Sequence, residues 1–333
     1  MNRTRFHKKR RLRVRRFLLV LIALLLVAAV AVGVVFLVHA LGRDDTPADT
    51  PPPTVEQEDA PPNIEPARQL PVDFIARNTK APRILLYDLS AETVLFSKNE
   101  DEQCAPASLT KLMTAIVALE NADPDTAITA GDELYLLDPE SSRAGIYIGH
   151  TMTLEQAIQG LLLKSGNDAA YVIAAQIGHK MDPSLSGKAA IDHFCKAMTQ
   201  KAKELGCTAT TFRNPDGIDA EGHLTTAADL LKISLYALEQ PLIAETVAAT
   251  EVTTTFQSGQ TKTWQNSNKL LEGGAYAYAG TCGMKTGSTD GAGNCLISCA
   301  TRDGRTVLCI LLGADTDFIR YNETIELLNL SFD

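Results

Sequence analysis

Ala279-Gly-Thr-Cys-Gly-Met-Lys-Thr286, Asn294-Cys-Leu-Ile-Ser-Cys-Ala-Thr301 and Thr306-Val-Leu-Cys-Ile-Leu-Leu-Gly313 follow one another, with Asp290-Gly291 and Asp303-Gly304 between them. Each run is short and apolar, and Asp-Gly pairs are turn signals between antiparallel strands. Upstream, Arg83-Ile-Leu-Leu-Tyr87 and Thr93-Val-Leu-Phe96 read as a hairpin. The stretch between these strands is helical in pattern. In Pro106 to Ala122, Leu109, Leu112, Met113, Ile116 and Val117 recur at three- and four-residue spacing. Thr153 to Ile177, Ile191 to Leu205 and Thr226 to Leu238 continue the helices, and Val252 to Phe256 with Thr261 to Trp264 forms a small hairpin. Asp317 to Leu328 is a last amphipathic helix. Two strands first, three last and helices between predict an α+β fold: an antiparallel sheet flanked by helices, with an inserted all-helical lobe.

Three short motifs lie on these elements in fixed order: Ser108-Leu-Thr-Lys111, Ser165-Gly-Asn167 and Lys285-Thr-Gly287. A serine hydroxyl needs a base to become a nucleophile. Residues three apart on a helix share a face, so Lys111 reaches Ser108. The helix start adds free N–H groups and positive potential suited to an oxyanion. Lys111 acts as a base only when neutral, and burial together with a second cation, Lys285, is expected to lower its pKa. Ser165 can relay a proton to a leaving amine, and Asn167 can bond both lysine and substrate amide. On one continuous helix these two side chains diverge by about 200°, so the chain must kink or loop there. Lys285 and Thr286 on an edge strand can hold a terminal carboxylate, and Gly287 leaves room for a peptide to add as a further strand. Each motif alone is weak, and a surface serine followed by a solvated lysine is the ordinary reading of the first.

Around the motifs stand Pro106-Ala-Ser-Leu-Thr-Lys-Leu-Met-Thr-Ala115, Leu161-Leu-Leu-Lys-Ser-Gly-Asn-Asp-Ala-Ala170, Asn214-Pro-Asp-Gly217, His223-Leu-Thr-Thr-Ala-Ala-Asp229, Asn266-Ser-Asn-Lys-Leu-Leu271 and Gly283-Met-Lys-Thr-Gly-Ser-Thr289. With these the chain, from about Val72 onward, resembles the low-molecular-mass penicillin-binding proteins, the serine-type D-alanyl-D-alanine carboxypeptidases of peptidase family S11. The resemblance implies the β-lactamase/transpeptidase-like fold, with a five-stranded sheet. It implies removal of the terminal D-Ala from a peptidoglycan pentapeptide through an acyl-serine, and acylation by β-lactams, hence a role in cell wall biogenesis and cell shape. It also implies an oxyanion hole from the backbone N–H groups of Ser108 and Ser288, and no metal or other cofactor. A DD-endopeptidase acting on crosslinks and a penicillin-binding sensor without turnover remain alternatives. The Glu-x-x-Leu-Asn element of class A β-lactamases is not found after Ser165-Gly-Asn167. His223 reads as structural and Asn214-Pro-Asp-Gly217 as a turn.

The first 43 residues hold ten Lys or Arg and no carboxylate, and Phe17 to Val38 is a run of 22 residues without a charge. About 20 residues cross a bilayer core. Nine of the basic residues precede the run, which places the N-terminus in the cytoplasm and the rest outside. The expected organisation is a basic tail at 1–16, a signal anchor at 17–40, a linker at 41–70 and a catalytic domain at 71–333. A cleaved signal peptide, with Val38-His-Ala40 as its site, is the rival. Many members of the family carry a C-terminal amphipathic membrane helix, and here the N-terminal run is expected to serve instead. Asp44 to Pro66 contains seven Pro and seven Asp or Glu, a composition that builds no core and reaches up to ~70 Å if extended. Beyond residue 43 there remain 21 Lys or Arg against 40 Asp or Glu, a net of −19. Such a surface excludes nucleic acid as an electrostatic partner. Seven cysteines (104, 195, 207, 282, 295, 299 and 309) make an odd count. Mostly free, buried thiols are expected, and Cys195 with Cys207 is the pair to test first.

Overall fold

In a computed structural model, which describes Leu70 and residues 72–333, the alternation of apolar side chains in the terminal strands sets the architecture. The helix α1 (Val72–Asn78) leads into β1 (Arg83–Asp88) and β2 (Thr93–Lys98). Strands β7 (Thr281–Thr289), β8 (Gly293–Arg302) and β9 (Arg305–Ala314) close the sheet in the order β2-β1-β9-β8-β7, antiparallel throughout. Successive residues of a strand point to opposite faces. Leu308, Ile310 and Leu312 of β9 therefore join Leu85 and Ile297 in the core beneath the helical lobe. Val307, Cys309 and Leu311 pack on the other face with Ile84, Leu86, Phe96, Leu327 and Leu328. Burial on both faces is why these strands read as nearly unbroken apolar runs.

The last helix, α8 (Asp317–Phe332), covers the outer face, capped by the Thr316 hydroxyl accepting from the Ile319 N–H at 3.2 Å. The inserted lobe contains α2 (Thr110–Asn121), α3 (Leu154–Leu163), α4 (Asn167–Met181), α5 (Gly187–Glu204), α6 (Ala227–Leu238) and α7 (Pro241–Ala248). Two small two-stranded sheets accompany it, β3 (Ala127–Thr129) with β4 (Thr151–Thr153), and the hairpin of β5 (Glu251–Thr255) with β6 (Thr261–Gln265). The predicted helix over Thr153 to Ile177 is two helices. A capping box at Thr153 and Gln156 starts α3, and the chain breaks at Lys164-Ser-Gly166 before α4 begins. The elements α1, β3, β4 and α7 had no counterpart in the sequence reading.

Helices α4 and α5 cross at Gly178, where a Cβ would lie 2.1 Å from the Ala190 carbonyl oxygen. Gly178→Ala is expected to lose ~1–3 kcal/mol by forcing the helices apart. That exceeds the ~1 kcal/mol of helix propensity that alanine gains. A lowered melting midpoint of the domain checks it.

Cys195 and Cys207 are both buried and free, so the pair singled out from sequence does not form. The disulfide joins Cys282 and Cys299 across β7 and β8, where Cα atoms 5.3 Å apart bring the sulfurs together. The remaining thiols, Cys104, Cys295 and Cys309, are free as expected. Among the described residues no helix is long and apolar enough to cross a membrane. The tail, candidate anchor and most of the linker lie outside the described residues.

Candidate active site

Pro106 opens a turn of 3-10 helix, Ala107–Leu109, that runs directly into α2. In a 3-10 turn residues three apart eclipse. Lys111 Nζ consequently lies 2.8 Å from Ser108 Oγ. The residue before the serine, Ala107, has φ +48°, a left-handed conformation that costs ~1–3 kcal/mol without glycine and persists only where its surroundings impose it. Those surroundings are two glycines. Gly217, at φ +94°, presses on Ala107 so closely that a Cβ would lie 1.9 Å from the Ala107 oxygen. Gly287 lies on the other side, where a Cβ would be 3.0 Å from both Ala107 Cβ and the Ser108 backbone nitrogen.

Lys111 is fully buried. Burial lowers its pKa from 10.5 to about 8, against the opposing pull of the Asp216 and Asp168 carboxylates. Its second partner is the Asp216 carbonyl, 2.5 Å away, which also lies 3.5 Å from Ser108 Oγ. Lys285, equally buried, is held well below its ordinary value by burial first, then by the Lys111 and Arg320 cations. The expectation that Lys285 depresses Lys111 is thus modified. Desolvation leads at both lysines, and the repulsion between them is felt at Lys285.

Ser165 stands in the break between α3 and α4 with φ +57°, and its Oγ accepts from Lys285 Nζ at 2.9 Å. This break removes the angular divergence that a continuous helix would impose. Asn167, the first residue of α4, is buried, and its N–H donates to the Ser142 oxygen at 2.8 Å. Its side chain makes no hydrogen bond to either lysine, whose partners are Ser108, Ser165 and the carbonyls of Asp216 and Thr286. Asp168 next to it accepts from the N–H groups of Ala144 and Ile146, both at 2.8 Å, pinning the 138–148 segment against the Ser-Gly-Asn turn.

Strand β7 is the sheet edge, so its outer backbone is open to a further strand. Thr286 Oγ1 is 2.8 Å from Ser267 Oγ. Ser288 follows Gly287 at the point where β7 passes the nucleophile turn, and Ser288 Oγ donates to Asn294 Oδ1 at 3.0 Å. The structure therefore brings Ser108, Lys111, Gly287 and the 214–217 turn into one cluster, and joins Lys285 of β7 to Ser165 in the break between α3 and α4.

Two contributors escaped the sequence reading. The Asn214-Pro-Asp-Gly217 turn supplies the carbonyl that holds Lys111. It is shaped by Asn214 Oδ1 accepting from the Gly217 N–H at 2.8 Å and by the Thr114 hydroxyl donating to the Pro215 oxygen at 2.6 Å. Arg320 of α8 is buried behind β7, its NH1 3.1 Å from the Gly287 oxygen, Ser288 Oγ and the Cys295 oxygen. The available signal was an arginine at the head of the buried stripe Arg320, Thr324, Leu327, Ser331. His223 has a structural place. Its Nδ1 accepts from the Arg213 N–H at 2.9 Å, which leaves Nε2–H to donate to Thr110 Oγ1 at 2.9 Å. Burial lowers its pKa to about 4, so it stays neutral.

Comparison with known proteins identifies the family. The family model described as D-alanyl-D-alanine carboxypeptidase, Peptidase_S11, matches residues 71–316. The D-alanyl-D-alanine carboxypeptidase DacF of Bacillus subtilis (strain 168) is 31% identical over 263 residues, 76% of this chain; the match spans 62% of that protein's length. The crystal structure of the Streptomyces K15 DD-transpeptidase matches with a TM-score of 0.70 and 30% identity, over 76% of this chain and 97% of that one. Penicillin-binding protein D2 of Listeria monocytogenes, in its ampicillin-bound form, matches with a TM-score of 0.63 and 28% identity, over 77% of this chain and 99% of that one. The chain belongs to the D-alanyl-D-alanine carboxypeptidase family, peptidase family S11.

Proposed function

We propose that this protein removes the terminal D-Ala from peptidoglycan pentapeptides through an acyl-enzyme on Ser108, and that β-lactams acylate the same oxygen. The observation that carries this reading is Lys111 Nζ, fully buried and 2.8 Å from Ser108 Oγ. With its pKa near 8, a usable fraction of Lys111 is neutral at physiological pH and takes the serine proton as Oγ attacks the peptide carbonyl. The backbone N–H groups of Ser108 and Ser288 receive the oxyanion. Lys285 and Thr286 hold the terminal carboxylate, and Arg320 adds positive potential behind Gly287 and Ser288. The arriving carboxylate favours the charged form of Lys285. Once the substrate carboxylate engages Lys285, Ser165 is freed from it. Ser165 gives its hydroxyl proton to the departing amine and is reprotonated by the Lys111 ammonium. A water then hydrolyses the acyl-serine with Lys111 again as base. Asn167 turns its amide to the substrate backbone.

Incubating the domain with purified muropeptides tests the activity. Pentapeptide monomers are expected to lose one alanine by mass. Cleavage of crosslinked dimers with monomers left intact would make it a DD-endopeptidase instead. Penicillin labelling with neither product would make it a sensor.

We further propose that residues 17–40 anchor the protein as a single-pass span with the catalytic domain outside, at a distance from the bilayer set by the linker. The support is the 22-residue uncharged run preceded by nine basic residues. The full chain is expected to resist carbonate extraction, while one starting near Val72 is soluble and active. Mature protein beginning at Leu41 in a soluble extracytoplasmic fraction would overturn the anchor.

A further inference from the structure

The nucleophile turn is gripped from two sides, by Gly217 and by Gly287, which belong to elements far apart in sequence. A grip needs its two arms tied together. The tie is Asp219, two residues beyond Gly217. Its Oδ1 accepts from Thr289 Oγ1 at 2.7 Å, and its Oδ2 accepts from the Gly291 N–H at 2.7 Å. Thr289 follows Ser288 at the end of β7, and Gly291 lies in the turn to β8. The ring therefore runs from Ser108 through Gly217 and Asp219 to Thr289, Ser288 and Gly287, and back to Ser108. Asp219 is itself exposed and carries no core packing. An exposed bidentate carboxylate spanning two elements has a positional effect rather than a packing one.

We propose that Asp219 is a positioning residue that closes a clamp on the Ala107–Ser108 turn and so fixes the separation of the Ser108 and Ser288 N–H groups. This rests on the oxyanion hole assigned above. The strained φ of Ala107 is what the clamp maintains. Loosening Asp219 lets the β7 end and the 214–219 loop drift apart, which misplaces a donor without removing it. Loss of a whole oxyanion donor costs ~10²–10³ in rate, so a misplaced one is expected to cost ~10–100-fold. Lys285 and Thr286 are not tied by Asp219, and ground-state binding should be little altered.

The test is the rate of acylation by a labelled penicillin at fixed pH, as a function of penicillin concentration and normalised to the finally acylable fraction. Asp219→Ala is expected to lower the saturating acylation rate ~10–100-fold, with the half-saturating concentration changed less than about threefold. Asp219→Asn is expected to restore most of the rate. Its amide oxygen can accept from Gly291 and its NH₂ can donate to the Thr289 hydroxyl. Thr289→Val spares the Gly291 bond but removes both the Asp219 bond and the acceptor of the Ala292 N–H, 3.1 Å away, and should also lower the saturating rate. An Asp219→Ala rate within twofold of the wild type, or an Asp219→Asn as slow as the alanine variant, overturns the clamp. Wild-type protein that is never acylated on Ser108 would instead refute the functional reading itself, so the two failures are distinguishable.

Discussion

Ser108→Ala is expected to abolish turnover of pentapeptide and all covalent attachment of penicillin, with a loss in kcat on the order of 10⁶. The size follows from chemistry that has no substitute. Lys111 would retain the Asp216 carbonyl as its partner, 2.5 Å away, but would have no hydroxyl to deprotonate. The half-buried Ser108 makes no core contact that alanine would lose, so the domain should fold and still bind penicillin reversibly through Lys285 and Thr286. Persistent labelling of the variant at wild-type stoichiometry would remove Ser108 from the mechanism.

The second large effect is at Lys111. Lys111→Ala is expected to lower the acylation rate by ~10²–10⁴ even at saturating substrate, because it removes the general base and leaves recognition in place. Lys111→Arg should fail as well, since a guanidinium stays protonated throughout the accessible pH range. The pH profile supplies a sharper form of this result. The neutral amine is the active species, and burial brings its pKa to about 8. At saturating penicillin, whose carboxylate keeps Lys285 charged, acylation should therefore rise as pH increases through about 8 and level off above it. At pH 7 about a tenth of such a lysine is neutral, against roughly three parts in ten thousand for an ordinary one. The inflection should vanish in Lys111→Ala. A wild-type profile flat between pH 6 and 10 would contradict the role of Lys111.

The sheet was legible because its strands are short, apolar on both faces and separated by Asp-Gly turns at 290–291 and 303–304. The helix carrying Ser108 and Lys111 was legible from its apolar spacing. What escaped was set by contacts between distant segments. The 3-10 turn at Ala107–Leu109 depends on Gly217 and Gly287 closing around it, and neither approach has a local sequence mark. The break at Ser165 was anticipated only because two polar side chains had to converge; the helical periodicity runs through it. Arg320 reads as one more charge on an amphipathic helix until β7 is placed beside it. The Asn214-Pro-Asp-Gly217 turn was recognised as a turn, but its function lies in a backbone carbonyl, and any residue at 216 would present one. The Cys282–Cys299 pairing follows from the register of β7 on β8, where Gly283 faces Cys299.

The most direct test of the account is to locate the acyl group. Wild-type protein is acylated with penicillin, quenched in acid and digested with trypsin. The adduct is expected on the peptide running from Asn99 to Lys111, which contains a single serine. Fragmentation should place the added mass on Ser108 rather than on Cys104 or Thr110. An adduct on Ser165, Ser288 or Cys104, with Ser108 unmodified, would contradict the central claim that Ser108 is the nucleophile of this site.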